Sequence, residues 1–161
     1  MKEIKCKIRQ FFFEADMKEV EQYLEWEQFS KARPLIEEWL PEFSGHCFDS
    51  DRQERLFIAL QNEKIAYDFY ELDYCRLFMN YAIVLLYEGK VENCRKALIQ
   101  AQEWNPMNAK ARYAYCALFL AKGKLKDFYQ ETVWTLMMCY EMDDIVLWFD
   151  NLLLYCQIQG L

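Results

Sequence analysis

The sequence predicts an all-α fold: a short right-handed α-solenoid of stacked helical hairpins in a single domain over residues 1–161. Two observations support this prediction. Only 4 glycines and 3 prolines occur among 161 residues, and the hydrophobic share of 54% provides ample material for a helical core. The second observation is an internal repeat, because Gly89 and Gly123 are 34 residues apart (123 − 89) and lie in similar surroundings.

Residues 13–42 form a degenerate copy of this hairpin. The stretch "YLEWEQFSKARPLIEEWLPEF" has the same rhythm without the glycine. We expect Ala32, Ile36 and Trp39 to lie on the inner side of the second helix of this hairpin. Pro34 is predicted in the first turn of that helix, where the missing amide donor is tolerated.

Residues 48–74 interrupt the array as an irregular helix and loop. Glu27 lies 62 residues before Gly89 (89 − 27), which is not a multiple of 34. An inserted segment accounts for the difference. We expect a helix capped by Asp49 or Ser50 and, after it, a partly extended loop.

Two regular repeats follow, at residues 75–108 and 109–142. In both, a helix ends at "YEGKV" or "AKGKL" and a second helix of similar length begins after the glycine. A 34-residue helix-turn-helix period is the tetratricopeptide signature. Hairpins that pack closely need small residues at the crossing points, and the repeats have them at Ala82, Cys94, Ala101 and Cys116.

Two stretches carry a family resemblance, "AYDFYELDYCRLFMNYAIVLLYEGKVENCRKAL" and "AQEWNPMNAKARYAYCALFLAKGKLKDF". With the Trp-Asn-Pro-x-Asn element that begins at Trp104, they resemble an uncharacterised tetratricopeptide-repeat family of anaerobic Firmicutes, over roughly residues 48–140. The resemblance implies the repeat fold and no particular activity. Relatives of that type continue with further repeats, whereas this sequence has one more helix.

Residues 143–161 are predicted to be a C-terminal capping helix. Asp143 or Asp144 is expected to cap it, and its sequence "IVLWFDNLLLYCQIQGL" is apolar for a helix at the end of a stack. An alternative role for the chain is therefore a homo-oligomeric structural subunit, with a homodimer formed through residues 145–158.

Charge and cysteine content exclude several classes of protein. The net charge of −7 disfavours a nucleic-acid partner, and no stretch approaches the ~18 apolar residues of a membrane span. Seven cysteines without a Cys-x-x-Cys pair, and without an apparent signal peptide, predict reduced thiols in a cytoplasmic protein. The charge is uneven, because residues 1–10 have a net charge of +3 and residues 14–42 a net charge of −6.

Catalytic and metal-binding patterns are sparse. His46 is the single histidine, and it precedes Cys47 directly, so the two side chains diverge. All four glycines are isolated, which excludes a glycine-rich phosphate loop. We predict that the chain is not an enzyme and has no cofactor and no metal; an enzyme would need a pocket around His46 and Cys47.

The predicted function is a protein-protein interaction scaffold that binds a peptide or helix of a partner. In tetratricopeptide repeats the first helix of each hairpin lines the concave surface. The alternative for those positions is internal packing against the N-terminal helices or the loop at 62–71, and a secretion-type chaperone is a further alternative function. The predicted groove residues are Arg76, Met79, Ile83, Leu86 and Tyr87 in the first repeat, and Lys110, Tyr113, Ala117 and Leu120 in the second.

Overall fold

The computed structural model describes residues 1–61, 67–137 and 142–160, with some side chains of the last helix excluded. Within these ranges the secondary structure is helical, apart from one isolated bridge between His46 and Phe69, so the all-α prediction is confirmed. Eight helices are present there: α1 (Lys2–Glu25), α2 (Phe29–Trp39), α3 (Asp51–Leu60), α4 (Tyr74–Tyr87), α5 (Val91–Trp104), α6 (Ala109–Ala121), α7 (Leu125–Met137) and α8 (Met142–Gln159).

The chain divides into two compact units, Met1–Pro106 and Met107–Leu161. In the first unit, α1 packs on α2 and α4, α2 packs on α4, and α4 packs on α5. In the second unit, α7 packs on both α6 and α8. Consecutive helices therefore pack against each other in three pairs, α1–α2, α4–α5 and α6–α7, which we call hairpins.

All three hairpins turn in the same way. After α4, the N–H of Gly89 donates to the carbonyl of Leu86, and the next N–H donates to the carbonyl of Leu85. The turn after α6 repeats this pair of bonds around Gly123, and the turn after α1 repeats it around Glu27. Each turn residue has a positive φ, of 76°, 71° and 56° respectively. This arrangement is the Schellman motif, which satisfies the last carbonyls of a helix through one left-handed residue.

The inner faces of the second helices also correspond. The fifth and ninth residues after each turn are buried in every hairpin. The twelfth is buried in α5 and α7 and half-buried in α2. The residues at these positions are Ala32, Ile36 and Trp39 in α2, then Cys94, Leu98 and Ala101 in α5, then Phe128, Thr132 and Thr135 in α7.

An aromatic cluster forms the centre of the first unit. Tyr74 at the start of α4 and Trp104 at the end of α5 are both 2% exposed, and their ring centroids are 4.6 Å apart. Phe43 and Tyr70, from the loops on either side of α3, pack against both of these rings. The Trp104 carbonyl accepts a hydrogen bond of 2.9 Å from the N–H of Cys47, so the end of α5 also holds the loop before α3.

The inserted segment agrees with the prediction where it is described. Ser50 caps α3, with its hydroxyl oxygen accepting from the N–H of Gln53 at 3.2 Å. Part of the predicted loop, residues 62–66, lies outside the described residues, as do residues 138–141 between α7 and α8. Within the described ranges, no helix combines the length and the hydrophobicity that a bilayer crossing requires.

One local prediction is wrong. Pro34 lies in the interior of α2 and not in its first turn, because α2 begins at Phe29. The proline is exposed, so water can reach the Ser30 carbonyl that loses its helical donor. Residues 1–12 precede the first predicted repeat, and α1 extends through them because it begins at Lys2.

The turn after α1 provides a test of the common hairpin geometry. We expect Glu27→Gly to stabilise the protein by about 1 kcal/mol, because a residue with a Cβ is strained in the left-handed region. Gly89→Ala should have the opposite effect and cost about 1–2 kcal/mol. An added Cβ at Gly89 would meet no atom within 4 Å, so that cost is purely conformational. Urea unfolding of both variants measures the two changes, and equal stability of Glu27→Gly and wild type would contradict the turn assignment.

Candidate functional site

The predicted groove face of α4 has two different ends. Arg76, near the start of the helix, is bound by two carboxylates of α1. Its Nε donates to both carboxylate oxygens of Glu21 at 2.9 Å, and its Nη1 donates to Glu14 at 2.8 Å. These two acceptors raise the pKa of the Arg76 guanidinium above its ordinary value. Here the N-terminal helix covers the face, as the internal-packing alternative expected.

The other end of this face is open. Ile83, Leu86 and Tyr87 are 42%, 43% and 60% exposed, although Leu77, Val84 and other residues on the remaining sides of α4 are buried. Spacings of three and four residues place the three side chains on one stripe of the helix. Met79, between the two ends, is half-buried. The stripe is therefore an apolar surface that extends from the middle of α4 to its last turn.

Aromatic stacking and ion pairs border the open stripe. The ring of Tyr87 stacks on Phe29 of α2, with centroids 3.9 Å apart. Glu88, which follows α4, forms ion pairs with Arg33 of α2 and with Lys90, and these two cations lower the pKa of its carboxyl. These contacts attach α2 to the end of α4, and Tyr87 nevertheless remains 60% exposed.

The second-repeat residues of the predicted groove belong to the second unit. Lys110 is exposed. Tyr113 and Leu120 are half-buried and pack against a core formed by Cys116 and Phe128, so part of each side chain stabilises that unit. Ala117 is half-buried. A binding role for these residues remains a prediction.

His46 lies in an aromatic environment. The loop that carries it is held by a hydrogen bond of 2.8 Å from its N–H to the Asp68 carbonyl. The ring packs against Phe57 at 4.8 Å and Tyr67 at 5.5 Å. Its Nδ1 is buried and has no hydrogen-bond partner among the described residues. His46 also lines a cavity of about 400 Å³ between the start of α1 and the segments 46–48 and 69–71.

Cys47 points into the core and is 4% exposed. Burial raises the pKa of its thiol to about 12, although the backbone amides of Tyr74 and Cys75 favour the thiolate. Burial also raises the pKa of Cys75 and brings that of Cys116 to about 12. These thiols are protonated at neutral pH, and the described residues contain no group of three His, Cys, Asp or Glu side chains that could hold a metal ion.

The cysteines are only partly as the sequence predicts. Cys47, Cys75 and Cys116 are free and buried, as expected for small core residues, and Cys94 is buried as well. Cys6 is free but exposed on α1, and Cys156 is intermediate. Cys139 lies outside the described residues.

The pair of carboxylates on Arg76 is a feature that the sequence does not predict. Glu14 and Glu21 belong to the acidic stretch of residues 14–42, and their contacts with α4 span 62 and 55 residues of sequence. Their spacing of seven residues places both on one side of a helix, which was the available signal.

Comparison with known proteins adds no relative. No protein-family model matches the chain, and neither the curated proteins nor the solved structures include a significant match.

The ion pairs of Arg76 give a prediction about its role. We expect a double-mutant cycle of Arg76→Met and Glu21→Gln to yield a coupling free energy of about 1–2 kcal/mol, because the guanidinium is held at two oxygens and is only partly exposed. The coupling is measured by urea unfolding and should decrease at high salt. A coupling near zero would contradict the ion pair between Arg76 and Glu21.

Thiol labelling gives a second prediction. With iodoacetamide at neutral pH, Cys6 should react far ahead of Cys47, because one thiol is exposed and the other is buried with a pKa of about 12. We expect a rate difference of roughly a thousandfold, since little of the buried thiol is ionised. Peptide mass spectrometry after timed labelling measures both rates. Rapid labelling of Cys47 in the folded protein would contradict this prediction and would support a catalytic role for that residue.

Proposed function

We propose that the chain is a protein-interaction module of tetratricopeptide-like repeats, arranged as a short right-handed solenoid. The 34-residue offset between Gly89 and Gly123 supports this arrangement, as does the shared turn geometry at both glycines. The corresponding buried positions in α5 and α7 support it as well. The relation to the tetratricopeptide family of anaerobic Firmicutes belongs to this proposal.

The exposed stripe of α4 is the observation that carries the proposed function. Ile83, Leu86 and Tyr87 form an apolar strip on a helix whose other sides are used for packing. Single exposed apolar residues are common on protein surfaces, but three on one stripe of one helix form a continuous contact surface. Such a strip binds the apolar face of a partner helix or an extended peptide with apolar side chains.

The surroundings of the stripe define the partner's chemistry. The α1 carboxylates cover the Arg76 end, so a bound segment extends from Met79 toward Tyr87. At the Tyr87 end, Glu88 carries a negative charge, and Arg33 and Lys90 carry positive charges. A polar partner residue of either charge can therefore pair with an opposite charge there. We therefore infer a short amphipathic segment with two or three apolar anchors.

The proposal includes no catalytic step, no cofactor and no nucleic-acid partner. A cytoplasmic location is part of it and rests on the free thiols of Cys47, Cys75 and Cys116, which suit a reducing compartment.

Two isoleucines of similar exposure, one in the stripe and one outside it, provide a test of the site. Peptides selected by display against wild-type protein should bind Ile83→Glu at least about tenfold more weakly, because a carboxylate would be buried against their apolar anchors. Ile58→Glu is the control, since Ile58 on α3 is 48% exposed and Ile83 is 42% exposed. Fluorescence anisotropy with labelled peptides measures both affinities. A selection that enriches no peptide, or peptides that bind both variants equally well, would contradict the proposal.

A second candidate function is favoured by α8. Val146, Leu153, Leu154 and Ile158 are exposed on this helix, which suits a homo-oligomeric subunit that associates through residues 145–158. In that case Leu153→Glu should convert an oligomer into a monomer, as measured by light scattering.

A further inference from the structure

The first half of α1 exposes an apolar face. Residues 1–12 are exposed throughout, although they belong to a continuous helix. One apolar residue lies four positions before Ile8, and two others lie three and four positions after it, so these side chains share one side of the helix. These side chains are Ile4 (62% exposed), Ile8 (51%), Phe11 (70%) and Phe12 (56%).

The opposite side of the same segment faces the protein. Cys6 and Gln10 line the cavity near His46, together with Glu3 and Lys7. Polar residues thus face the rest of the first unit, and apolar residues face solvent. This is the reverse of the usual arrangement of a surface helix.

The second half of α1 packs conventionally. Phe13, Met17 and Val20 are at most 2% exposed and belong to the core of the first unit. Helical spacing places these three on nearly the opposite side of the axis from Ile8 and Phe11. One helix therefore has two apolar faces: a buried face in its second half and an exposed face in its first half.

Charge changes sign along this helix. Residues 1–10 contain Lys2, Lys5, Lys7 and Arg9 against Glu3, a net charge of +3. Residues 14–25 contain Glu14, Asp16, Glu19, Glu21 and Glu25 against Lys18, a net charge of −4. An antiparallel neighbour with the same sequence would place its acidic half beside the basic half of α1, and its basic half beside the acidic half.

We propose that the exposed face of α1 binds the same face of a second copy of this chain, antiparallel and around a two-fold axis near Phe12. Antiparallel pairing about residue 12 places residues whose numbers sum to about 24 opposite each other. Lys5 then faces Glu19 of the second copy, and both residues are exposed. Phe11 and Phe12 of both copies form the apolar centre of an isologous interface.

The charge pattern favours a second copy over an anionic membrane surface. A basic segment with a Phe- and Ile-rich face is also typical of helices that lie in a bilayer interface. However, the acidic half of the same rigid helix would be held against the anionic headgroups and repelled by them. An identical antiparallel helix instead pairs both halves with opposite charges.

Charge reversal provides the decisive experiment. Lys5→Glu and Glu19→Lys each place like charges opposite each other in a homodimer, and the two-fold axis repeats each contact. We expect either variant alone to dimerise at least about tenfold more weakly than wild type. Mixed in equal amounts they should form a heterodimer within about threefold of the wild-type affinity, because both contacts regain opposite charges. Sedimentation equilibrium measures these affinities against a chain mass of 19.6 kDa.

An apolar pair of variants locates the interface. Phe12→Glu should abolish the dimer, whereas Leu153→Glu on α8 should not, although the two side chains are 56% and 59% exposed. Circular dichroism melting checks that each variant is folded.

Four outcomes would overturn the proposal. The first is a wild-type monomer up to near-millimolar concentration, and the second is a dimer that dissociates in Leu153→Glu but not in Phe12→Glu. The third is a mixture of the charge variants that stays monomeric. The fourth is a monomer that binds phosphatidylserine vesicles and loses that binding in Phe12→Glu, which would assign the face to a membrane.

Discussion

The contact between Tyr74 and Trp104 is the interaction on which the first unit depends. Tyr74 begins α4 and Trp104 ends α5, so their rings, 4.6 Å apart, close the open end of this hairpin opposite the turn at Gly89. Phe13 of α1 packs against Tyr74 as well, and the Trp104 carbonyl holds the loop at Cys47. Helices and loops far apart in sequence therefore share one buried aromatic centre, which fixes where α1 and the inserted segment lie.

The orientation of α1 decides what the surface of the first unit offers. Phe13 in the aromatic cluster and Glu21 on Arg76 fix the rotation of this helix about its axis. With that rotation fixed, the α4 stripe is covered at Arg76 and open from Ile83 onward. The same rotation turns Phe11 and Phe12 toward solvent. The exposure of both proposed binding surfaces therefore depends on the placement of α1, but the experiments test the two binding proposals independently.

Local features were predictable from the sequence, and long-range contacts were not. The left-handed turns at Gly89 and Gly123 were predictable because glycine tolerates a positive φ. The cap at Ser50 was predictable because a serine hydroxyl can accept a hydrogen bond from a backbone N–H in the first turn of a helix. The ion pair of Arg76 with Glu21 was missed because helical spacing does not specify which helices meet. The position of Pro34 was misread because a proline within a helix remains tolerable when the affected carbonyl reaches water.

The two apolar faces of α1 make its exposed face difficult to predict from the sequence. A helix within a monomer is normally identified by one apolar stripe, and α1 has stripes on nearly opposite sides in its two halves. When the direction of hydrophobicity is averaged over the 24 residues of α1, the contributions of the two stripes cancel. The sequence then resembles that of a charged surface helix. An apolar stripe that faces solvent does not stabilise the isolated chain. Contact with another molecule would remove the side chains of Ile4, Ile8, Phe11 and Phe12 from water, which is the physical reason to expect a partner on this face.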